Sequence, residues 1–166
     1  MDTNLLPEKK TDVHEISFMD VSRLQTFTTP DWSEWGPERL VTRSDIDSFG
    51  VLTDNHQWIH EDDERCSKES IYGEVIAHGL FILTLLPSLL PPEPFMVVGH
   101  THRIVRGGEW RFPAPVFLEN TVRARVRLTK VRYTERGTLL IRETEIWSSG
   151  NSDKPVVTCT LRLQYF

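Results

Sequence analysis

Between Phe49 and Gly79 the chain gathers a high density of groups able to hold or move a proton: Asp54, Asn55, His56, Gln57, His60 and His78. They are interleaved with residues that belong in an interior, Trp58, Ile59, Ile76 and Ala77. Polar loops held against apolar structure are where binding and catalytic side chains concentrate. Histidine suits general acid–base work because its unperturbed pKa lies near neutral pH. The structural reading of the same residue is a core histidine satisfied by a backbone carbonyl. Gly79 adds a different element. At the opening of an apolar helix it exposes backbone N–H groups at the positive end of the helix dipole. Such groups can polarise a thioester carbonyl and stabilise the enolate that forms when an α-proton is removed.

Two further clusters carry less. His56 and His60 stand four apart, and His100 and His102 two apart, both spacings that a metal accepts. No carboxylate completes either pair, and neither a metal nor another cofactor is read. Arg103, Arg106 and Arg111 surround Gly107-Gly108. They could grip the phosphates of a coenzyme, although arginines at a strand edge are more often simply solvated.

The elements that position these residues follow from periodicity. Residues 42–52 read as a short helix, with Ser44 as its cap, Asp45 and Asp47 in the first turn, and Ile46, Phe49, Val51 and Leu52 as its apolar stripe. Residues 61–70 read as a charged surface helix. From Ala77 to Leu90 the chain is apolar nearly all round, which predicts a helix wrapped by other structure, ended or kinked near Pro87. Residues 96–105, 116–133, 138–148 and 156–165 are rich in Val, Thr, Leu, Ile and Tyr. The runs from Thr121 and from Thr158 alternate with period two, the mark of a sheet with one covered face. Turns are expected at Glu135-Arg-Gly and at 148–153. Trp110, Phe112 and Pro113 read as packing between sheet and helix, and Arg123, Arg125 and Arg127 as an outer sheet face. Residues 14–27 read as a strand or extended segment, 32–37 as turn-rich, and 38–42 as a lead-in to the next element.

At 166 residues the chain has room for one domain with a proper core: 1–13 as a flexible N-terminal arm and 14–166 as a single domain. Apolar residues make up 39%, charged residues 26%, and the net charge is −5. That balance gives no general field for nucleic acid. Cys66 and Cys159 belong to no cysteine cluster, and nothing reads as a signal peptide or a membrane span. A cytoplasmic protein is expected. One buried helix followed by a run of long antiparallel strands is α+β architecture, the sheet curling around the helix.

Thr53-Asp-Asn-His-Gln-Trp-Ile-His60, then Ile76-Ala-His-Gly79, then Trp110-Arg-Phe-Pro-Ala-Pro-Val116 together resemble successive motifs of the MaoC-like (R)-specific enoyl-CoA hydratase/dehydratase family. Their order and approximate spacing match, and the resemblance spans residues 34–165. It implies a hot-dog fold, an antiparallel sheet around a long central apolar helix. It also implies a homodimer and an acyl-CoA or acyl-carrier-protein substrate bound in tunnels near the subunit interface. An Asp–His pair in that family holds a water and exchanges protons with it, adding it to or removing it from the C2–C3 bond. By this resemblance His60 is the general acid/base and the Gly79 N–H a donor to the thioester carbonyl. The catalytic candidates are therefore His60, Asn55 and Asp54, and the substrate-binding candidates Gly79, His78, Gln57 and Arg111.

The first motif departs from the family's T-G-D-H-Q-W-I-H. Aligned without a gap, the family's glycine is Asp54 and its catalytic aspartate is Asn55, which cannot take a proton at physiological pH. Three readings are open. Asp54 supplies the carboxylate one residue early; or His60 suffices alone; or the site binds an acyl group without catalysing. The main alternative to an enzyme is a non-catalytic hot-dog protein that binds acyl thioesters or a partner protein, and a hot-dog thioesterase, with Glu74 as its candidate carboxylate, is a further one.

Overall fold

Strands of opposite-facing side chains build the C-terminal half of the molecule, which the computed structural model describes over residues 13–166. The arm read over residues 1–13 lies, apart from Val13, outside the described residues. β1 is His14–Ser17, β2 Arg39–Leu40, β3 Phe95–Val98, β4 Arg103–Arg111, β5 Thr121–Thr134, β6 Gly137–Ser148 and β7 Val157–Tyr165. Five of them form an antiparallel sheet in the order β2-β5-β6-β7-β4. β1 and β3 pair in parallel beside it. The break between β3 and β4, where one strand was expected, falls at Gly99, whose φ of 77° turns the chain out of the ladder. On β5 the inward positions run Val122, Ala124 and Leu128, then shift to Val131 across a bulge between Leu128 and Lys130. The turn into β6 requires Gly137: its φ is 105°, and a Cβ there would stand 2.1 Å from the Tyr165 carbonyl oxygen.

The helices lie on the covered side of the sheet. They are α1 Val21–Gln25, α2 Arg43–Thr53, α3 Trp58–Glu61, α4 Asp63–Glu69, α5 Gly79–Thr84 and α6 Leu86–Leu89. The expected central helix is thus interrupted. α5 and α6 share Leu85, still in right-handed helical conformation, as the end of one and the start of the other. Pro87 lacks the N–H that would continue the ladder, so the second turn starts afresh around it. Phe81, Ile82, Leu85, Leu86 and Leu89 bury themselves against Val122, Ala124 and Ile146 of the sheet. A second apolar cluster joins β1, α1 and β3 to the far end of β5, β6 and β7.

Residues 29–36 hold no regular structure but run along the outer edge of β5. The Thr29, Ser33 and Gly36 N–H groups donate to Leu128, Val126 and Ala124 carbonyls at 3.0, 2.9 and 2.8 Å. The stretch closes an edge that would otherwise be open to another strand. Trp32 and Trp35 then stack with Arg123, Arg125 and Arg127 on the outer face, where Glu143 and Glu145 pair with Arg127 and Arg125. Edge strand β4 has no such cover among the described residues: Ile104, Val105 and Trp110 are exposed along it. Trp110 therefore does not pack between sheet and helix as its sequence context suggested. Among the described residues no helix is long and apolar enough to cross a membrane.

Candidate active site

Local capping sets the approach to the site. Thr42, not Ser44, caps α2: its hydroxyl accepts from the Asp45 N–H while the Asp45 carboxylate accepts from the Thr42 N–H. Ile46 is buried on the core side, but Val51 and Leu52 are exposed, so the apolar stripe ends with Phe49. The helix stops at Asp54, which adopts a left-handed conformation with φ 51°. The Asn55 N–H still bonds the Gly50 carbonyl at 3.0 Å, and the chain then turns inward to α3. His60 lies on α3 and is 7% exposed.

The motifs read separately in the sequence meet here. His60 Nδ1 lies 2.7 Å from the Ile76 carbonyl oxygen, and the Ile76 N–H donates to the Ile59 carbonyl at 3.1 Å. The Ala77 N–H donates to the Val116 carbonyl at 2.8 Å. Gly79 opens α5 directly under the Phe112 ring, where a Cβ would approach ring carbons to 2.8 Å. A backbone carbonyl only accepts, so His60 carries its hydrogen on Nδ1 and leaves the Nε2 lone pair free. His78 stacks on His60 with ring centroids 3.7 Å apart. Its Nε2–H donates to the Asn55 backbone carbonyl at 3.2 Å, and its buried Nδ1 has no partner among the described residues. Burial holds the His60 pKa below its ordinary 6.5; the Ile76 carbonyl pulls it back up, the neighbouring His78 lowers it again, and Glu61 raises it. At neutral pH His60 is an uncharged imidazole with an available base nitrogen.

A cavity of about 630 Å³ opens at this point, with Asn55, His60, His78 and Gly79 on its wall beside Phe49, Ile82 and Val116. No aspartate or glutamate lines it among the described residues. Of the sequence candidates, Asp54, Gln57 and Arg111 are not brought to it. The Asp54 side chain is wholly in solvent, 3.8 Å from His56. Gln57 is exposed at the start of α3. Arg111 lies in a groove on the outer sheet face with Arg127 and Glu143, because strand alternation sends it away from the side that Phe112 covers. Glu74, the thioesterase candidate, is exposed and does not line the cavity. Tyr72, Leu80, Phe112 and Lys154 do line it, and sequence reading missed them as site residues. Only Phe112 had a signal, its place in Arg-Phe-Pro-Ala-Pro-Val.

The pattern of the family described as MaoC like domain matches residues 31–146. The chain belongs to the MaoC-like family. It is 33% identical over 126 residues to 3-hydroxyacyl-thioester dehydratase Z of Mycobacterium tuberculosis, covering 75% of this chain and 82% of that protein. The MaoC-like dehydratase from Rhodospirillum rubrum superposes with a TM-score of 0.67 at 15% identity, over 86% of this chain and 95% of the other. The (R)-hydratase from A. caviae involved in PHA biosynthesis does so with a TM-score of 0.63 at 18% identity, over 84% and 98%. The curled antiparallel sheet with its broken central helix is the hot-dog fold of these MaoC-like proteins.

The left-handed backbone at Asp54 gives the departure from the MaoC-like motif a physical account. The family's pattern carries glycine at this position, and glycine is the residue that takes a positive φ without strain; aspartate is among the few others that tolerate it. Asp54→Gly is expected to raise stability by roughly 0.5–1 kcal/mol, a rise of a few degrees in Tm, by relieving that strain. Turnover should not change, because the carboxylate points into solvent. A fall in activity with the fold intact would instead show Asp54 reaching the substrate.

Proposed function

We propose that the protein interconverts 2-enoyl and 3-hydroxyacyl thioesters by adding and removing water, with His60 as its general acid/base. The observation that carries this reading is the fixed tautomer of His60. Its Nδ1–H is committed to Ile76, which leaves Nε2 as a base on a largely apolar cavity beside Asn55 and the N-terminus of α5. In hydration, Nε2 takes a proton from water as the hydroxyl bonds to C3. The same proton, returned to C2, completes the addition. Asn55 holds the water through its amide without exchanging a proton. The first N–H groups of a helix have no intrahelical partner, so the Gly79 N–H is free to bond the thioester oxygen as negative charge develops. The family membership and the dehydratase named among the relatives agree with this reaction.

A second reading, acyl-thioester binding without turnover, is favoured by one observation: no carboxylate faces the cavity among the described residues. A thioesterase draws no support, for the same reason. The assay that separates them follows loss of enoyl absorbance from crotonyl-CoA against release of CoA. Hydration that disappears in His60→Ala upholds the proposal. CoA release, or tight binding with no chemistry, overturns it. A homodimer belongs to the same reading. The exposed Ile104, Val105 and Trp110 on β4, with Phe112 just beyond it and next to Gly79, offer a second copy an apolar edge beside the cavity.

A further inference from the structure

The cavity around His60 is walled by apolar and neutral side chains with a single exception. Lys154, in the connection from β6 to β7, is the one residue with a full charge at neutral pH among the described residues that line it. Its side chain is exposed and enters none of the ion pairs among the described residues. The base of that side chain is nevertheless fixed. Asn151 Oδ1 accepts from the backbone N–H groups of Asp153 and Lys154 at 3.1 and 3.4 Å, and Asn151 itself bridges back to Ser148. Pro155 follows with its φ locked, and the Val156 N–H returns the chain to the Ile146 carbonyl at 2.8 Å. A held backbone thus presents a mobile ammonium at the rim of an otherwise uncharged cavity.

That arrangement matches one kind of ligand, a molecule apolar where it reacts and anionic where it leaves the protein. Thioesters of a phosphopantetheine arm have this form. The acyl group and thioester suit the uncharged wall, and the phosphate stays at the mouth. We infer that Lys154 binds a phosphate of the coenzyme or carrier arm and so determines specificity for phosphorylated thioesters over phosphate-free ones. The inference rests on the thioester reading above. Lysine acts there as a point charge with three rotatable donors, which grips a phosphate without demanding one orientation. It replaces the role that sequence reading gave to Arg111, which the structure puts on the far face of the sheet.

The test is steady-state hydration of crotonyl-CoA, crotonyl-phosphopantetheine and crotonyl-N-acetylcysteamine by the wild type, Lys154→Ala and Lys154→Glu. Lys130→Ala, an exposed lysine on β5 away from the cavity, controls for net charge. Lys154→Ala is expected to raise KM for the phosphorylated thioesters about fivefold to tenfold, the size of an exposed charge-assisted contact, and Lys154→Glu to raise it further. Kinetics with the phosphate-free thioester should not change, and added salt should erase the difference. A rise with both phosphorylated substrates assigns the contact to the arm's own phosphate, shared by coenzyme A and carrier proteins. A rise with crotonyl-CoA alone assigns it to the nucleotide end of the coenzyme. Equal change on all three, or none, overturns the inference while leaving the hydration reading intact. Should the wild type hydrate none of them, the hydration reading fails instead. Calorimetric Kd values of crotonyl-CoA for wild type and Lys154→Ala then carry the test, and equal values overturn the phosphate contact.

Discussion

Asn55→Asp is expected to raise kcat/KM for crotonyl-CoA hydration on the order of 10²-fold, the lower part of the range for restoring one member of an acid–base pair. The substitution is close to isosteric and sits on the cavity wall. What His78 Nε2–H bonds is the backbone carbonyl of residue 55, which the change leaves in place. The left-handed Asp54 just before it still turns the chain inward. Only the chemistry of one side-chain group changes, from an amide that orients water to a carboxylate that can also exchange its proton. A carboxylate beside His60 would also favour the imidazolium and move the His60 pKa upward. The rate at neutral pH should therefore rise while the acid limb of the pH profile moves to higher pH. An unchanged rate would show that the water is not held at this position, and would turn the balance toward the binding reading.

The parts of the molecule legible in the sequence are those fixed by local patterning. β5, β6 and β7 were visible because one face of each is covered, so inward residues recur with period two; the bulge after Leu128 shifted that period without hiding it. His60, His78 and Gly79 were visible because their motifs are short, and the structure joins those motifs through a few hydrogen bonds, the His60 side chain to the Ile76 carbonyl, the Ile76 N–H to the Ile59 carbonyl and the Ala77 N–H to the Val116 carbonyl. What could not be read depends on partners distant in the chain. Arg111 and Phe112 are adjacent, yet one faces Glu143 and Arg127 across the outer groove while the other covers Gly79. Only the register of β4 on β7 decides which goes where. Val51 and Leu52 fit a helical stripe, but the stripe outruns the core it packs against. Residues 29–36 have no period at all, since their hydrogen bonds follow the edge of β5. Lys154 gave no signal because a lysine in a polar turn is ordinary until the cavity beside it is seen.

His60→Gln is expected to lower kcat by about 10²–10⁴-fold while leaving crotonyl-CoA binding within a few-fold. Glutamine keeps an N–H able to donate toward the Ile76 carbonyl, so the fold retains that buried partner, whereas alanine would leave the carbonyl unpaired at roughly 1–3 kcal/mol. The two variants thus separate lost chemistry from lost packing. The pH dependence gives a second, independent reading. The folded His60 pKa is depressed below 6.5, chiefly by burial, so the unfolded chain binds the extra proton first as pH falls. The stability His60 contributes is fully present above its unfolded pKa of 6.5 and is lost as pH drops from there through the folded value. Wild-type hydration should decline over the same window, as Nε2 is protonated and ceases to act as a base. In His60→Gln the acid-side loss of stability should be shallower, and the residual rate should lose that limb of its pH profile. If the glutamine variant keeps both the rate and the acid limb, another group carries the proton, and His60 is a core histidine satisfied by Ile76.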